Sequence, residues 1–326
     1  LKMHVGGPDT PIVKEGQRIK RGECIAEPKG LGAKIHSSVS GNVVKITDSA
    51  IVIKPDDKQS EEYVKIKKCD SITDTVYEAG VVGAGGAGFP THIKLKTKLA
   101  DGYIIANCVE CEPVLHHNMS RIERRPGEII KGIRYAMSST GAKKAYIAIK
   151  SKHLNAIKAL KDYLKNDSSI QIKELPDMYP MGEERAIIHA IFDRWLEPTQ
   201  LPAEADCVVL NAETLFNITM AVDHRKPVID KDITVIGKLK SGIEPNVFFQ
   251  VPVGSSIKSL IEKCGGIDGE YGELIIGGPY TGTSQDIDTA VVTKISGGAI
   301  VTIPFPEYKG PIGLLVCACG ANEARL

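Results

Sequence analysis

Short apolar runs separated by glycine turns make up the first 68 residues. The runs around Ile12, Ile25 and Ile35 are too short for helices, and Gly16 and Gly22 stand where the chain must turn between them. Strands of this length and spacing are typical of a small sandwich or barrel. We therefore predict an all-β domain over residues 1–68.

Apolar runs alternate with helical periods between residues 69 and 232. The runs at 103–107, 145–149, 170–172 and 207–211 suit buried strands. Apolar residues at intervals of three and four over 129–137 and 154–164 predict amphipathic helices. This alternation is typical of an α/β layer fold with a largely parallel sheet. Because such sheets bind ligands at the carboxyl ends of their strands, we expect the site in the loops after Asn107 and Asn211.

The third part of the chain, residues 233–306, mixes strands with one helix. The predicted elements are a helix at 257–264 and strands at 247–253, 273–276, 290–293 and 299–303. One helix on a small mixed sheet indicates a β-grasp-like domain. We assign residues 307–326 to a tail and expect it to be truncated, because it stops at Leu326 without an ending signal.

Composition narrows the class of protein. Lys and Arg total 41 against 40 Asp and Glu, and the net charge of +1 argues against a dedicated nucleic-acid binder. No apolar run approaches the ~18 residues of a membrane span, and we find no secretory signal. The 8 cysteines are too few and too scattered for a disulfide scaffold. We expect a cytoplasmic chain without a transmembrane segment.

The stretch Gly-Ala-Gly-Gly-Ala-Gly-Phe-Pro at residues 83–90 is the sharpest motif. It satisfies G-x-G-x-x-G, but a dinucleotide-binding turn should follow a strand and open a helix. Here a capped helix is predicted over 71–79, so we favour a loop whose N–H groups line a phosphate or whose backbone lies against a flat ring. The Ala, Phe and Pro residues disfavour a flexible linker. Lys94 is placed to neutralise a phosphate, although an isolated lysine is more often a surface residue.

Acidic and amide side chains follow the predicted strands. Asn107, Glu110 and Glu112 come at the end of one strand, and Asn211 comes at the end of another. Their position at the carboxyl edge of the sheet makes them candidate ligand-binding residues. A further group at 179–184 places two acids at the start of a helix, where the helix dipole favours acids with or without a function.

Four motifs occur in order along the chain, G-x-G-G-x-G-F-P-T-x-x-K, N-x-x-E-x-E-P, Y-x-x-G-E-E and N-x-E-T. Together they resemble the flavin-carrying, NADH-oxidising subunit of complex I and the C subunit of the Rnf electron-transport complex. His92 and the Glu-Cys-Glu-Pro version of the second motif are the Rnf form. The resemblance implies an α/β multidomain chain with a barrel-sandwich hybrid domain over 1–68, an FMN- and NADH-binding domain over 69–232 and an SLBB-type β-grasp domain over 233–306.

The resemblance implies an electron-transfer flavoprotein subunit that oxidises NADH through FMN and passes electrons to a protein partner, a reductase or an iron–sulfur subunit. The chemistry would take place on the flavin, so no catalytic side chain is expected. The positions matching FMN-binding residues are Gly83, Gly85, Gly86, Lys94, Asn107, Glu110, Asn211 and Thr214. The positions matching NADH-binding residues are Phe89, Lys94, Glu112, Tyr179 and Glu184. Acids facing the ribose hydroxyls would repel a 2′-phosphate, which favours NADH over NADPH.

The chain departs from the family pattern at two points. Val109 stands where the flavin subunit of complex I has Asp, which removes one hydrogen bond to the flavin or ribityl group. The C-x2-C-x2-C-x3-C pattern of the Rnf protein is missing, so a 4Fe-4S cluster is expected only in a region outside this sequence. The Cys-Ala-Cys-Gly tail resembles the Rnf-C-like proteins that accompany proline reductase. The family also implies a position at the inner face of the membrane.

Cysteines and histidines leave alternatives open. The cysteines with a candidate redox role are Cys108, Cys111, Cys317 and Cys319. Cys108 and Cys111 have the C-x-x-C spacing of a redox dithiol. The four cysteines together supply enough thiols to bind a metal ion. Ordinary buried thiols are the simpler interpretation. We expect no metal site. His116 and His117 have no ligand spacing and are expected at the surface.

Alternatives to the flavoprotein hypothesis also exist. The first domain resembles biotinyl and lipoyl carriers, with Lys29 and Lys34 near a hairpin tip, but neither has the flanking residues of a carrier site. A docking module without a swinging arm is therefore favoured. The chain as a whole could be a non-catalytic scaffold that keeps the flavin fold. A third hypothesis, a ligand such as cobalamin on the β-grasp domain, is disfavoured because its strands lack a His or polar cluster.

Overall fold

Three regions follow one another along the chain, each with its own sheet and apolar core. The structure, a computed structural model, describes residues 1–165, 167–306, 309–311 and 313. Within that part of the chain, no helix is both long and apolar enough to cross a bilayer. The domain boundaries proposed from the sequence remain predictions.

The N-terminal region contains two small antiparallel sheets. Its strands are β1 Thr10–Pro11, β2 Arg18–Ile19, β3 Cys24–Glu27, β4 Ile35–His36, β5 Gly41–Ile46 and β6 Ile51–Pro55. They pair in the orders β1-β3-β4 and β2-β5-β6. Gly16 and Gly22 have φ values of +81° and +87°, so the turns predicted there are present. Val13, Ile19 and Val43 are buried in the core that the two sheets share.

The central region is a parallel α/β layer. Its strands are β7 Tyr103–Cys108, β8 Lys144–Lys150, β9 Ile170–Leu175 and β10 Cys207–Asn211. Its helices are α1 Ile72–Glu78, α2 Thr91–Lys94, α3 His117–Arg124, α4 Pro126–Thr140, α5 Leu154–Leu164, α6 Glu184–Phe192 and α7 Ala212–His224, with a 3-10 turn at Pro202–Ala205. The strands run parallel in the order β10-β7-β8-β9. Ile104 and Ala106 join one core and Ile105 joins another, so β7 is buried on both faces, as its unbroken apolar run predicts.

The C-terminal region is a mixed five-stranded sheet with one helix. Its elements are β11 Asp230–Gly237, β12 Asn246–Pro252, α8 Ile257–Lys263, β13 Leu274–Ile276, β14 Thr283–Gln285 and β15 Gly298–Val301. The strand order is β12-β11-β15-β13-β14. The strand predicted at 290–293 is wrong: Val291 makes a single bridge to Ser256, and the chain then turns as the Thr293 amide donates to Ser296 Oγ (3.0 Å). Assignment to the SLBB-type β-grasp class stays a prediction.

Polar contacts join the three regions. The Arg21 guanidinium lies 2.8 Å from the Asp230 carboxylate. Lys294 is buried, and its Nζ donates to the carbonyl oxygens of Lys34 (2.6 Å) and Gly80 (2.7 Å). One ammonium group of the C-terminal region therefore contacts both preceding regions.

Lys34 is also not a free carrier arm. Its Nζ lies 2.8 Å from Glu27 Oε1 and 2.9 Å from Glu78 Oε2. Two ion pairs hold the ammonium between β3 and α1. This geometry supports the preference for a docking module over a swinging carrier.

Candidate functional site

A cavity of about 650 Å³ lies at the carboxyl ends of β7 and β10. The sheet continues to β8 on one side of β7, while β10 lies on the other side. This is the switch point at which open parallel sheets bind ligands. The walls come from the glycine-rich loop, the segment after β7 and the C-terminal sheet. The volume lies within the ~300–1,000 Å³ that is usual for small-molecule sites.

The glycine-rich loop forms one wall of this cavity. The Gly83 amide donates to the Phe89 carbonyl oxygen (2.9 Å), and residues 84–87 between them line the cavity. At Gly85 a Cβ atom would lie 2.5 Å from Asn211 Nδ2, so a residue without a side chain is needed for this close approach to β10. At Gly86 a Cβ atom would meet nothing within 4 Å. The loop therefore exposes bare main chain to a ligand.

Two asparagines mark the ends of the neighbouring strands. Asn211 is the N-cap of α7, and its Oδ1 accepts from the Glu213 amide (2.8 Å). This bond fixes the side chain and leaves Nδ2 directed to the glycine-rich loop. Asn107 Oδ1 accepts from the Val109 amide (3.2 Å), and its Nδ2 donates to the Gly182 carbonyl oxygen (2.9 Å). Both asparagines line the cavity, as expected for partners in adjacent parallel strands.

Glu110 is the buried acid of the site. Its backbone has a φ of +46°, and its carboxylate accepts from the amides of Asn118 (3.1 Å) and Met119 (3.2 Å) at the start of α3. Burial raises the pKa of Glu110 to about 7, although these hydrogen bonds oppose the rise. A carboxyl group that changes charge near neutral pH therefore borders the cavity.

Glu112 connects the cavity rim to the C-terminal sheet. Its carboxylate accepts from the Tyr280 amide (2.9 Å) and from Thr281 Oγ1 (2.8 Å), in the loop between β13 and β14. A Cβ atom at Gly278 would collide with this carboxylate, so a larger residue there would displace the Glu112 side chain. The rings of Tyr280 and Tyr179 pack with centroids 4.5 Å apart. The predicted NADH-binding residues Glu112 and Tyr179 thus contact the same loop.

Lys94 lies beside the site and not in the cavity wall. Its Nζ is 2.7 Å from Glu184 Oε1 and 3.0 Å from the Val209 carbonyl oxygen. Val209 precedes Asn211 by two residues, which is about 7 Å along a strand, so the ammonium is near the sheet edge. Lys2 is the lysine that the described residues contribute to the wall itself. The two contacts of Lys94 use two of the three N–H donors of its ammonium.

The structure divides the predicted site residues into two groups. Those in the wall of the 650 Å³ cavity are Gly85, Gly86, Asn107, Glu110, Glu112 and Asn211. Those outside it are Gly83, Phe89, Lys94, Tyr179, Glu184 and Thr214. Thr214 is fully buried and anchors the loop, because its Oγ1 accepts from the Ala84 amide (3.0 Å) and donates to the Val82 carbonyl oxygen (3.3 Å).

Sequence reasoning missed the wall that the C-terminal region supplies. Its polar members are Thr281, Thr283, Gln285, Thr293 and Ser296. The Gly277-Gly278 pair and the threonines that follow are a turn signal that could have marked this loop. Nothing local in the sequence indicates that it faces the strand ends of another region.

His117 corrects an expectation. It is buried and lines the cavity, so the surface position predicted for it is wrong, whereas His116 is exposed. Its Nδ1 lies 3.3 Å from Thr234 Oγ1 and 3.5 Å from Glu110 Oε1. Burial, with a smaller effect of Lys231, lowers the pKa of His117 well below its usual value. The cavity is therefore bordered by a neutral imidazole.

The cysteines near the site are protonated thiols. Burial raises the pKa of Cys108 to about 12 and also raises the pKa of Cys111. Neither is a thiolate at neutral pH, which disfavours the dithiol hypothesis, although that role remains a prediction. No group of three or more His, Cys, Asp or Glu side chains among the described residues is placed to hold a metal ion. Cys317 and Cys319 lie outside the described residues.

Two family profiles match the chain. Residues 76–220 match the Nuo51 FMN-binding domain, and residues 1–68 match the RnfC barrel sandwich hybrid domain. The first match covers the glycine-rich loop, the parallel sheet and both asparagines. Fold, cavity and profile together define an RnfC-like electron-transport chain of the oxidoreductase class, with an FMN-binding domain.

Curated relatives define the family more closely. The C subunit of the Na(+)-translocating ferredoxin:NAD(+) oxidoreductase complex of Acetobacterium woodii is 32% identical over 97% of this chain and 75% of its own length. The C subunit of the proton-translocating complex of Clostridium ljungdahlii is 31% identical over 91% of this chain and 68% of its own length. The chain belongs to the family of these two proteins, which confirms the predicted family. The cobalamin reductase PduS of Salmonella typhimurium is 37% identical over 71% of this chain and 50% of its own length.

Solved structures agree at the level of the fold. The NAD+-reducing [NiFe]-hydrogenase in its air-oxidized state superposes with a TM-score of 0.60 at 21% identity, covering 71% of this chain and 46% of that chain. The same enzyme in its H2-reduced state gives 0.57 at 20% identity, with the same coverage. The chain therefore spans less than half of the hydrogenase chain, and at this identity the likeness shows the fold alone.

Proposed function

We propose that the chain is an electron-transfer flavoprotein subunit that oxidises NADH through FMN and passes the electrons to a partner protein. The observation that carries this proposal is the 650 Å³ cavity at the switch point of the sheet, walled by bare main chain. The glycine-rich loop and both strand ends that line this cavity lie within the residues that match the FMN-binding profile, and the C-terminal region supplies the opposite wall. A peripheral position at the inner face of the membrane, beside a reductase or iron–sulfur partner, belongs to the same proposal.

The residues present suit FMN. At Gly85 and Gly86 a ligand can contact the backbone directly, because these residues have no side chain. Asn211 Nδ2 has no acceptor within hydrogen-bond distance among the described residues, so it is free to donate to a ribityl oxygen or a ring carbonyl. Bound FMN would supply the hydride-accepting and electron-releasing chemistry. The chain would supply orientation and exclusion of water.

Acidic residues around the cavity fit the incoming reductant. Glu112 at the rim suits the ribose hydroxyls of NADH, which donate to carboxylates. Glu110, whose pKa is about 7, holds a proton beside the cavity for part of the time at neutral pH. Lys94 remains the proposed partner of the FMN phosphate, through its third N–H donor or by exchange of Glu184 for the dianion.

The scaffold alternative has one observation in its favour. Lys94 and Glu112, which would serve ligands, already have partners inside the chain. A scaffold that kept the fold without the cofactor would retain such internal pairs and would not need the cavity.

A flavin titration of the purified full chain, followed by anaerobic addition of NADH, separates the two functions. The proposal predicts tight uptake of FMN and bleaching of the flavin absorbance band by NADH, with a much weaker response to NADPH. Protein that does not take up added FMN would support the scaffold. Flavin-loaded protein that NADH does not bleach would limit the role to flavin binding.

A further inference from the structure

The loop between β13 and β14 has the sequence Gly-Gly-Pro-Tyr-Thr-Gly and spans residues 277–282. It belongs to the C-terminal region, yet three of its residues line the 650 Å³ cavity. Two main-chain bonds fix its shape. The Gly282 amide donates to the Gly278 carbonyl oxygen (2.9 Å), and the Gly277 amide donates to the Gly298 carbonyl oxygen in β15 (2.8 Å). We call this segment the rim loop.

The rim loop holds the side chain of Glu112 at three points. Glu112 Oε2 accepts from the Tyr280 amide (2.9 Å), and its Oε1 accepts from Thr281 Oγ1 (2.8 Å). The side chain also packs against the bare backbone of Gly278, where a Cβ atom would collide with Oε2, Cγ and Cδ. The ring of Tyr280 packs on that of Tyr179, which anchors the loop to the central region. The carboxylate is therefore fixed by a loop 169 positions away.

The groups that hold Glu112 leave part of its carboxylate free. Its partners are neutral donors, and among the described residues it has no ion-pair partner. Lys150 and Lys152, which line an adjoining cavity of about 300 Å³, pair with Asp177 instead. A carboxylate has about four acceptor positions, of which the rim loop uses two. Each oxygen of Glu112 therefore keeps a lone pair for a donor on a ligand.

Fixing a carboxylate before a ligand arrives changes the free energy of binding. A glutamate that rotates freely loses side-chain entropy when a ligand orders it, whereas one that is already fixed does not. Adjacent hydroxyls, such as those of a ribose, are donors that fit the two remaining lone pairs. The groups proposed to contact FMN, among them Gly85 and Asn211, belong to the central region. The rim loop should therefore affect binding of the reductant and not binding of the flavin.

We propose that Thr281 is a positioning residue for Glu112. Through it, the C-terminal region sets the affinity of the site for its reductant and leaves the affinity for FMN unchanged. The identity of the ligand rests on the proposed function, whereas the contact between the rim loop and Glu112 does not. The C-terminal region then takes part in the reaction, although it lies outside the residues that match the FMN-binding profile.

Anaerobic reduction of the FMN-loaded full chain by NADH tests the proposal. Thr281→Val removes the hydroxyl donor with little change of shape. The NADH concentration that gives the half-maximal rate should rise about threefold or more, with the limiting rate unchanged. Thr281→Ser keeps the donor and should behave like the wild type. Thr289→Val is the matched control, because Thr289 is an exposed threonine of the same region outside the walls of both cavities.

Fluorescence titration with FMN supplies a readout that a general disturbance of the fold would also move. The FMN affinity of Thr281→Val should agree with that of the wild type to within about twofold. Equal NADH dependence in Thr281→Val and Thr289→Val overturns the proposal. It is also overturned if Thr281→Val loses as much affinity for FMN as for NADH, or if Thr281→Ser behaves like Thr281→Val.

Hydrogen exchange at the Tyr280 amide separates this inference from the proposed function. Glu112→Ala removes the acceptor of that amide, so its exchange should become about tenfold or more faster, whatever the reductant is. If NADH fails to reduce the wild type, the proposed function and the identity of the ligand are wrong together. The exchange measurement then decides the positioning of Glu112, and unchanged exchange in Glu112→Ala overturns it.

Discussion

Lys94 is the residue on which the phosphate hypothesis depends, and it already pairs with Glu184. We expect Lys94→Ala to weaken FMN binding by about one to two decades, through loss of a charge-assisted hydrogen bond of roughly 1.5–3 kcal/mol. Glu184→Gln should leave the affinity unchanged or raise it, because it frees the ammonium. Fluorescence titration with FMN measures both.

Lys2 is the natural comparison for Lys94, since it lines the cavity directly. Lys2→Ala should have the smaller effect on FMN affinity. If Lys2→Ala weakens binding while Lys94→Ala does not, the phosphate contact belongs to Lys2 and the assignment of Lys94 is wrong.

Glu110 gives a pH-dependent prediction. Its pKa is raised from 4.5 to about 7, so the folded chain favours the protonated carboxyl. The stabilisation is complete below the unfolded value and is lost as pH rises through the folded value. Between about pH 5 and pH 7.5, wild-type unfolding free energy should fall by up to about 3 kcal/mol relative to Glu110→Gln, which keeps an acceptor for α3. Urea unfolding at both pH values checks this, and parallel pH profiles for the two proteins would contradict it.

Site residues differ in how far the sequence could predict them. Gly85 lies in a loop without large side chains, and Asn211 ends a strand and caps the next helix. Both geometries depend on neighbouring residues alone, and both residues line the cavity. The sequence could not predict the ion pair of Lys94. Its partner Glu184 is 90 positions away, and the two side chains meet only in the folded α/β region. His117 was misjudged because ligand spacing says nothing about burial.

At the scale of elements, the glycine-rich loop is held against β10 by a contact that excludes a side chain. Gly85→Ala should reduce FMN affinity by about tenfold or more, because a Cβ atom 2.5 Å from Asn211 Nδ2 must displace the loop or the capping asparagine. Gly83→Ala is the matched comparison, since its Cβ atom would lie 3.6 Å from the nearest neighbour. FMN titration of the two variants measures and compares their affinities. Equal affinities would show that the close approach is not needed for binding.

The elements that the sequence predicted well are those with strong periodicity. Three of the central strands, β7, β8 and β10, contain apolar runs that are largely buried, and they are found where predicted. The edge strand β9 is exposed at Gln171, Lys173 and Glu174 and continues to Leu175, beyond the predicted 170–172. β14 was not predicted, because its residues Thr283–Gln285 are all exposed and lack an apolar pattern. Residues 290–293 have the apolar residues of a strand, but a turn through Ser296 limits them to one bridge.

At the scale of the whole molecule, Lys294 joins all three regions through a buried ammonium. Burial lowers the pKa of Lys294 to about 8 from its usual 10.5, so the unfolded chain binds this proton more tightly than the folded chain. The unfolding free energy of the wild type should therefore rise relative to Lys294→Met as pH increases from about 8 to about 10.5, by up to about 3 kcal/mol. Denaturant unfolding across this range measures the difference. A constant difference would mean that the ammonium titrates as it does in water.

The sequence motifs predict the order of the three regions along the chain. They do not predict that these regions pack around one cavity. The C-terminal wall meets the strand ends through contacts such as Glu112 with Thr281, which are 169 positions apart. Pairings of this length depend on how whole regions pack, and local propensity cannot specify them. The cavity is therefore a property of the assembled chain.

The most direct test of the account is an experimental structure of the full chain with FMN bound. We predict flavin density in the 650 Å³ cavity, against the backbone of Gly85 and Gly86 and within hydrogen-bond distance of Asn211 Nδ2. Flavin bound elsewhere on the molecule, with this cavity unoccupied, would contradict the account.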